Sequence, residues 1–209
     1  MGGGRVSGGE GQAGERVDWT AELERRRGLT TPKDTARGLF FNGTLSAIES
    51  LGDAALMKRC LEASGHARFT DFFNYPISQY MQMVGCALEG LAERYGSDEE
   101  ALRQLGVRAT LSYLGTTAGR ALLLVSGGSP KQIVSALPSA YKVSTSFANH
   151  RVEWTSHQSG RLLAVREFMP YPFHVGVLLA MLETAGAQGV QVQGRHPGSL
   201  EVECTFSWG

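Results

Sequence analysis

No aspartate follows Asp98 in this 209-residue sequence. A Ser-His-Asp triad would therefore have to bring Asp18, Asp34, Asp53, Asp71 or Asp98 across to the C-terminal half, and no G-x-S-x-G elbow marks a nucleophile. Cysteine is scarce as well. Cys60, Cys86 and Cys204 form no CxxC pair, which argues against a zinc site or a disulfide framework. Their odd number and wide spacing fit three reduced core thiols in a cytoplasmic protein. Net charge is absent, since 20 basic residues balance 20 acidic ones. That balance removes the electrostatic footprint expected of a nucleic-acid or anionic-membrane partner and lowers the barrier to self-association. Apolar runs such as Ala121 to Val125 are far too short to cross a bilayer. There is no H-E-x-x-H, and the closest approach to a P-loop, Ser126-Gly127-Gly128-Ser129-Pro130-Lys131, puts Pro where a backbone N–H is needed. No catalytic residue, metal ligand or cofactor is expected from these absences.

What is present is enough apolar residue for a core, 42% of the chain. Residues 1 to 16, MGGGRVSGGEGQAGER, are Gly-rich and aperiodic, without an apolar secretory core, and read as a disordered tail. Residues 17 to 37 read as a charged, solvated arm around Arg25-Arg26-Arg27. Residues 38 to 209 read as a single α+β domain. Its helical N-terminal half starts with a helix from Thr44 to Leu51, stopped by Gly52. A second runs from the Asp53 cap to Gly65, and a third from Pro76 to Tyr95 with Gly96 at its end. A Ser97/Glu100 capping box starts a helix ending near Gly106, and a further helix covers Val107 to Val125. Pro130 opens one more, through about Leu137.

After Pro138 the apolar period changes from 3.6 to 2. Tyr141, Val143, Thr145 and Phe147 alternate with polar residues and predict a first strand. Val152 and Trp154 mark a second, and Arg161 to Phe168 a third. Pro172 opens a helix closing near Gly186, and two more strands follow, the last alternating Leu200, Val202, Cys204, Phe206 and Trp208 with polar residues. The fold class expected is thus α+β, a helical half followed by a β-β-β-α-β-β antiparallel sheet with one inserted helix.

Four residues are candidates to line an apolar pocket between helices and sheet: Tyr80 on the long helix, Tyr113, Arg120 within an otherwise apolar helix, and His174 in the first turn of the late helix. Among the other histidines, His66 and His196 stand in turn contexts and are expected in solvent. His150 and His157 flank a strand and are expected at the surface. The Glu201/Glu203 face reads as the half-exposed side of a strand.

The runs EEALRQLGVRATLSYLGTTAGRALLLVSGGSPKQIVSALPSAY, EFMPYPFHVGVLLAMLETAGA and LEVECTFSW resemble a paralogous family of uncharacterised myxobacterial proteins, over about residues 38 to 208. The resemblance implies no activity. The layout of helices followed by antiparallel strands around one inserted helix is also similar to a wider group. That group comprises the haem–nitric-oxide-binding sensors, the four-vinyl-reductase-type ligand-binding domains and the TRAPP-type tethering subunits. The haem sensors carry Y-x-S-x-R, whereas Tyr141 is followed by Val143 and Thr145, so the resemblance does not extend to haem.

These readings converge on a non-enzymatic small-molecule-binding or sensory module with an apolar ligand. The alternative is a protein-interaction or homodimerisation module that uses a helical face or a sheet edge. An enzyme is the reading with least behind it.

Overall fold

The computed structural model describes residues 17–209. The Gly-rich segment read as a disordered tail lies outside the described residues. The elements in chain order are α1 (Trp19–Arg27), β1 (Thr35–Arg37), α2 (Gly38–Leu51), α3 (Ala54–Ala63), β2 (Asn74–Pro76), α4 (Ile77–Tyr95), α5 (Asp98–Leu114), α6 (Thr117–Val125), α7 (Pro130–Ser144), β3 (Asn149–Trp154), β4 (Ser159–Val165), α8 (Tyr171–Thr184), β5 (Gln191–Arg195) and β6 (Glu201–Ser207). The class is α+β. Strands β1 and β2 form a small antiparallel ribbon, and the main sheet runs in the order β3-β4-β6-β5, antiparallel throughout.

Helix α4 forms where the apolar stripe requires it. Ile77, Tyr80, Met81, Val84 and Leu88 are buried along one face, and Gly96, at φ +83°, ends the helix in the left-handed region. At the start of α5 the Ser97 hydroxyl accepts from the Glu100 amide at 3.1 Å. The helix then runs through Gly106 to Leu114, where the sequence reading ended it at that glycine. The reason is packing. A Cβ on Gly106 would collide with the Phe173 carbonyl oxygen, and one on Gly176 with the Arg103 carbonyl oxygen. Glycine here costs helix propensity, about 1 kcal/mol, and permits the close contact of α5 with α8.

The strand expected over Tyr141 to Phe147 is not formed. Helix α7 carries through Pro138 to Ser144, so the sheet segment is β-β-α-β-β. Ile133, Val134 and Leu137 are buried on one helical face, and Tyr141 continues that face one turn on. Burying such side chains stabilises by roughly 1.5–3 kcal/mol each, enough to offset the roughly 3 kcal/mol penalty of an internal proline. The apparent alternation was coincidental, since Val143 is 71% exposed.

In the sheet, Leu162 pairs with Cys204, Ala164 with Val202 and Gly160 with Phe206. These side chains are buried on the face that α8 covers. The opposite face carries a cross-strand ladder in which Glu153 pairs with Arg161 at 2.6 Å, Arg161 with Glu203 at 3.7 Å, and Glu203 with Arg195 at 2.8 Å. Glu203, expected to be half-exposed, is therefore nearly covered by its two arginines.

The segment read as a solvated arm instead packs on the body. Trp19, Leu23 and Arg26 of α1 are buried, and α1 lies against α4. The arginine triplet is committed to structure. Arg25 pairs with Glu22 and reaches Ser199, Arg27 pairs with Glu24, and Arg26 joins Glu22 at 2.6 Å to the Glu167 carbonyl at 3.0 Å.

Candidate functional site: a cavity with a buried polar floor

A cavity of about 80 Å³ lies between α2, α4, α5, α7 and α8. Its wall is almost wholly apolar, with Ile77, Leu137, Phe147, Met169, Phe173, Val177 and Met181 among its lining residues. Half-buried aromatic rings also line it. Phe40 lies nearly parallel to both Tyr113, at 6.2 Å between centroids, and Tyr141, at 6.5 Å.

The floor is polar. Glu167 sits just past β4, where Arg166 adopts φ +59° and turns the chain out of the strand. A left-handed non-glycine residue is held only when its surroundings enforce it. Here the Arg166 guanidinium binds both oxygens of buried Asp34, at 2.8 and 3.0 Å, and Arg26 grips the carbonyls of Glu167 and Met169 from the other side. So fixed, the Glu167 side chain points inward, only 2% of the residue being exposed. Its Oε1 accepts from the Met169 amide at 2.9 Å. Its Oε2 lies 3.0 Å from His150 Nε2, within ion-pair reach, yet the two are out of line for a hydrogen bond.

His174 faces the same point from α8 and is 1% exposed. Its Nε2 stands 3.7 Å from Glu167 Oε1, too far for a hydrogen bond, and has no partner. Its Nδ1 lies 3.4 Å from the Tyr141 hydroxyl, and the Tyr141 ring stacks on His150 at 3.9 Å. Burial pushes the Glu167 carboxyl up, but the imidazoles of His174 and His150 outweigh it and hold the carboxyl below the usual carboxylate range. Desolvation raises the Tyr141 hydroxyl well above a normal phenol. Across the cavity the Tyr80 hydroxyl is paired with Thr44 at 2.7 Å and is also raised by burial.

Of the four residues named from the sequence, Tyr80, Tyr113 and His174 stand on this cavity wall. Arg120 does not. It is exposed on α6, and its Nε donates to the Gly115 carbonyl at 3.1 Å. The sequence reading missed Glu167, which lines the cavity, and His150, which stands 3.0 Å from its Oε2. His150, expected at the surface, is buried, because it shares the inward face of β3 with Val152 and Trp154. That two-residue period was the available signal. Glu167 lies outside any periodic segment and offered none. His196 is half-buried rather than solvated, its Nε2 accepting from the Tyr171 amide at 3.0 Å at the start of α8. His66 is likewise half-buried, 2.9 Å from Gln79 Oε1.

The lining carries no Ser, Cys or Lys that could act as a nucleophile. Among the described residues no three His, Cys, Asp or Glu side chains are arranged to hold a metal ion, the Glu167 trio included. Nor is any described helix long and apolar enough to cross a membrane.

The fold is that of H-NOX domains. A crystal structure of an Fe(II) unliganded H-NOX protein from K. algicida, a point mutant, matches with a TM-score of 0.63 at 15% identity, covering 83% of this chain and 96% of that one. A structure described by haem redox potential and porphyrin distortion matches at 0.64 and 9% identity, over 82% and 99%. An oxygen-binding H-NOX domain related to soluble guanylate cyclases, in its oxygen complex, matches at 0.64 and 9% identity, over 82% and 94%. At these identities the likeness establishes the fold alone. The sequence matches no curated protein. Residues 29–209 match the DUF2378 family, described as proteins of unknown function, and the chain belongs to that family.

Proposed function

We propose that this chain is a non-enzymatic small-molecule-binding or sensory module whose ligand occupies this cavity, which lies among the helices rather than between helices and sheet, with Tyr80, Tyr113 and His174 among the residues in contact with it. One observation carries the reading. Glu167 and His174 are almost fully buried, both line an otherwise apolar cavity, and each carries a polar atom without a hydrogen-bond partner. Leaving such an atom unpaired costs roughly 1–3 kcal/mol, a cost that a ligand able to pair both would relieve. The shared fold of the oxygen-binding H-NOX domain is consistent with sensing in this architecture. The three free thiols suit a reducing, cytoplasmic setting.

Haem itself does not fit. The cavity, at about 80 Å³, is smaller than the roughly 150 Å³ engineered cavity that accepts benzene, and a porphyrin has four pyrrole rings. A site for this chain's ligand is therefore a site for something much smaller than the cofactor of its structural neighbours.

Native mass spectrometry on the purified protein, set against the denatured mass, tests the reading. A reproducible added mass of small-molecule size supports it. A bare protein at every concentration, together with no response to small apolar probes, removes it.

A second reading rests on α6. Among its residues only Gly119 is buried, while Leu124 and Val125 are 81% and 86% exposed. An apolar helical face of this kind suits self-association or a protein partner. A concentration-dependent dimer in light scattering, abolished by Leu124→Glu, would favour it.

A further inference from the structure

Helices α3 and α4 pack antiparallel, and contacts at both ends fix their register. At one end the Arg94 guanidinium donates to the Gly52 carbonyl at 3.3 Å. At the other, His66 Nε2 lies 2.9 Å from Gln79 Oε1. Between them the Leu56 side chain fills the space beside Gly90, its Cδ1 only 2.7 Å from where a Cβ would stand, so α3 sits close on α4 there. One helical turn brings the same face round again. Four residues on from Leu56 is Cys60, and four back from Gly90 is Cys86. The register therefore sets these two cysteines face to face. The state of the thiols agrees with it. Burial pushes the Cys60 thiol up, and the Cys86 thiol beside it pushes it further.

The two differ in access. Cys60 is fully buried, whereas Cys86 is half-buried, so an oxidant from solvent meets Cys86 first. We propose that Cys60 and Cys86 are a redox pair, thiols in the resting protein and joined as a disulfide between α3 and α4 when a peroxide reaches Cys86. The Cys86 thiolate attacks one oxygen of hydrogen peroxide, the O–O bond breaks, and the departing hydroxide takes up a proton to become water, leaving a sulfenic acid. The Cys60 sulfur then attacks the Cys86 sulfur, the S–O bond breaks, and the hydroxyl leaves as water with the proton that Cys60 gives up. Two thiols and one peroxide become one disulfide and two waters, each sulfur oxidised by one electron and each peroxide oxygen reduced by one. What Cys60 lacks in ionisation it makes up in proximity. Helix α4 also carries Ile77 and Tyr80 on the cavity wall, so the bond ties a cavity helix to α3. Cys204 supplies the contrast. It is buried in the main sheet opposite Leu162 and Gly194, burial pushes its thiol up to about 12, and no third thiol is left for it to join.

The test treats the full chain with hydrogen peroxide, alkylates the remaining thiols under denaturing conditions and maps the peptides by mass. The Cys60 and Cys86 peptides are expected to be joined within one chain, lighter by two hydrogens and separated by dithiothreitol, with Cys204 alkylated. In Cys60→Ser the reaction is expected to stop at the sulfenic acid, so that dimedone labels Cys86 roughly tenfold more than in the wild type. The wild-type map decides the matter even where the variant folds poorly. A sulfinic or sulfonic acid at Cys86, with Cys60 still alkylated, overturns the pairing. So does a bond between the Cys86 residues of two chains, or a Cys86 that stays a thiol while free cysteine in the same solution is oxidised. Linkage of Cys204 as readily as of Cys86 means that unfolding, not the register, brings the thiols together, and it overturns the pairing as well.

Discussion

Asp34 and Glu167 are both buried carboxylates, and they lie on either side of one residue, Arg166. Asp34 is bonded to Arg166 itself, and Glu167 is the next residue along the chain. Their surroundings differ in one respect. Asp34 Oδ2 takes the Thr31 amide at 2.7 Å and the Thr31 hydroxyl at 2.8 Å, and the Arg166 guanidinium binds both of its oxygens. Glu167, on the cavity wall, satisfies Oε1 with the Met169 amide, has His174 Nε2 3.7 Å from that same oxygen, and sets Oε2 3.0 Å from His150 without a hydrogen bond. Burial raises the Asp34 carboxyl, but the Thr31 and Arg166 hydrogen bonds bring it below the usual range, so both groups are held ionised. A buried charge with its partners complete is a rivet, whereas one with an open valence is a binding group in waiting.

The comparison can be broken at Asp34. Asp34→Ala strips Arg166 of the contact that holds its left-handed backbone and leaves the Thr31 amide unpaired. The loss expected is about 2 kcal/mol of unfolding free energy, after allowing for solvent at the half-exposed guanidinium. Urea unfolding reads it. Glu167→Gln keeps the bond from Met169 and loses only a misaligned ion pair, so about 1 kcal/mol or less is expected. If Glu167→Gln costs more than Asp34→Ala, the contrast drawn between them fails.

Acid sharpens the same contrast. Each carboxyl has a folded-state pKa below its unfolded value, so each contributes stability that is present above about pH 4. That stability is lost as pH falls through the folded value. The wild type should therefore weaken below about pH 4, Asp34→Ala should lose part of that acid dependence, and so should Glu167→Gln. Equal slopes in all three, measured by thermal unfolding from about pH 5 down to about pH 2, would contradict the assignment.

The smallest effect concerns an imidazole whose partner is in place. Burial, with a smaller push from Arg26, lowers His196 to about 4. Its neutral ring accepts from the Tyr171 amide at the start of α8. An unfolded histidine titrates near about 6.5. The His196 contribution is therefore complete above about pH 6.5 and fades as pH falls from there to about 4. His196→Asn should flatten the stability profile across that window by a fraction of the effect at Asp34. An unchanged profile would place the titration elsewhere.

How much of this was legible in the sequence depended on period and on reach. The α8 start at Pro172, the α4 stripe and the alternation in β6 were readable because local pattern and burial agree there. The false strand at Tyr141 arose where a helix face and a strand face share the same few apolar residues, and packing against α8 decided between them. Gly106 looked like a stop and proved to be a contact point. Three of the four residues named from the sequence stand on the cavity wall because they share helix faces with the core. Arg120 does not, since its apolar surroundings are exposed rather than buried. Glu167 was invisible because its position depends on Asp34 and Arg26, more than a hundred residues away in the chain, and no local pattern encodes that.

The most direct measurement is a high-resolution crystal structure of the protein as purified, inspected at the cavity floor. The account predicts density for a small molecule within the cavity, in contact with Tyr80, Tyr113 and His174. A cavity closed by repacked side chains, with no added density, would contradict it.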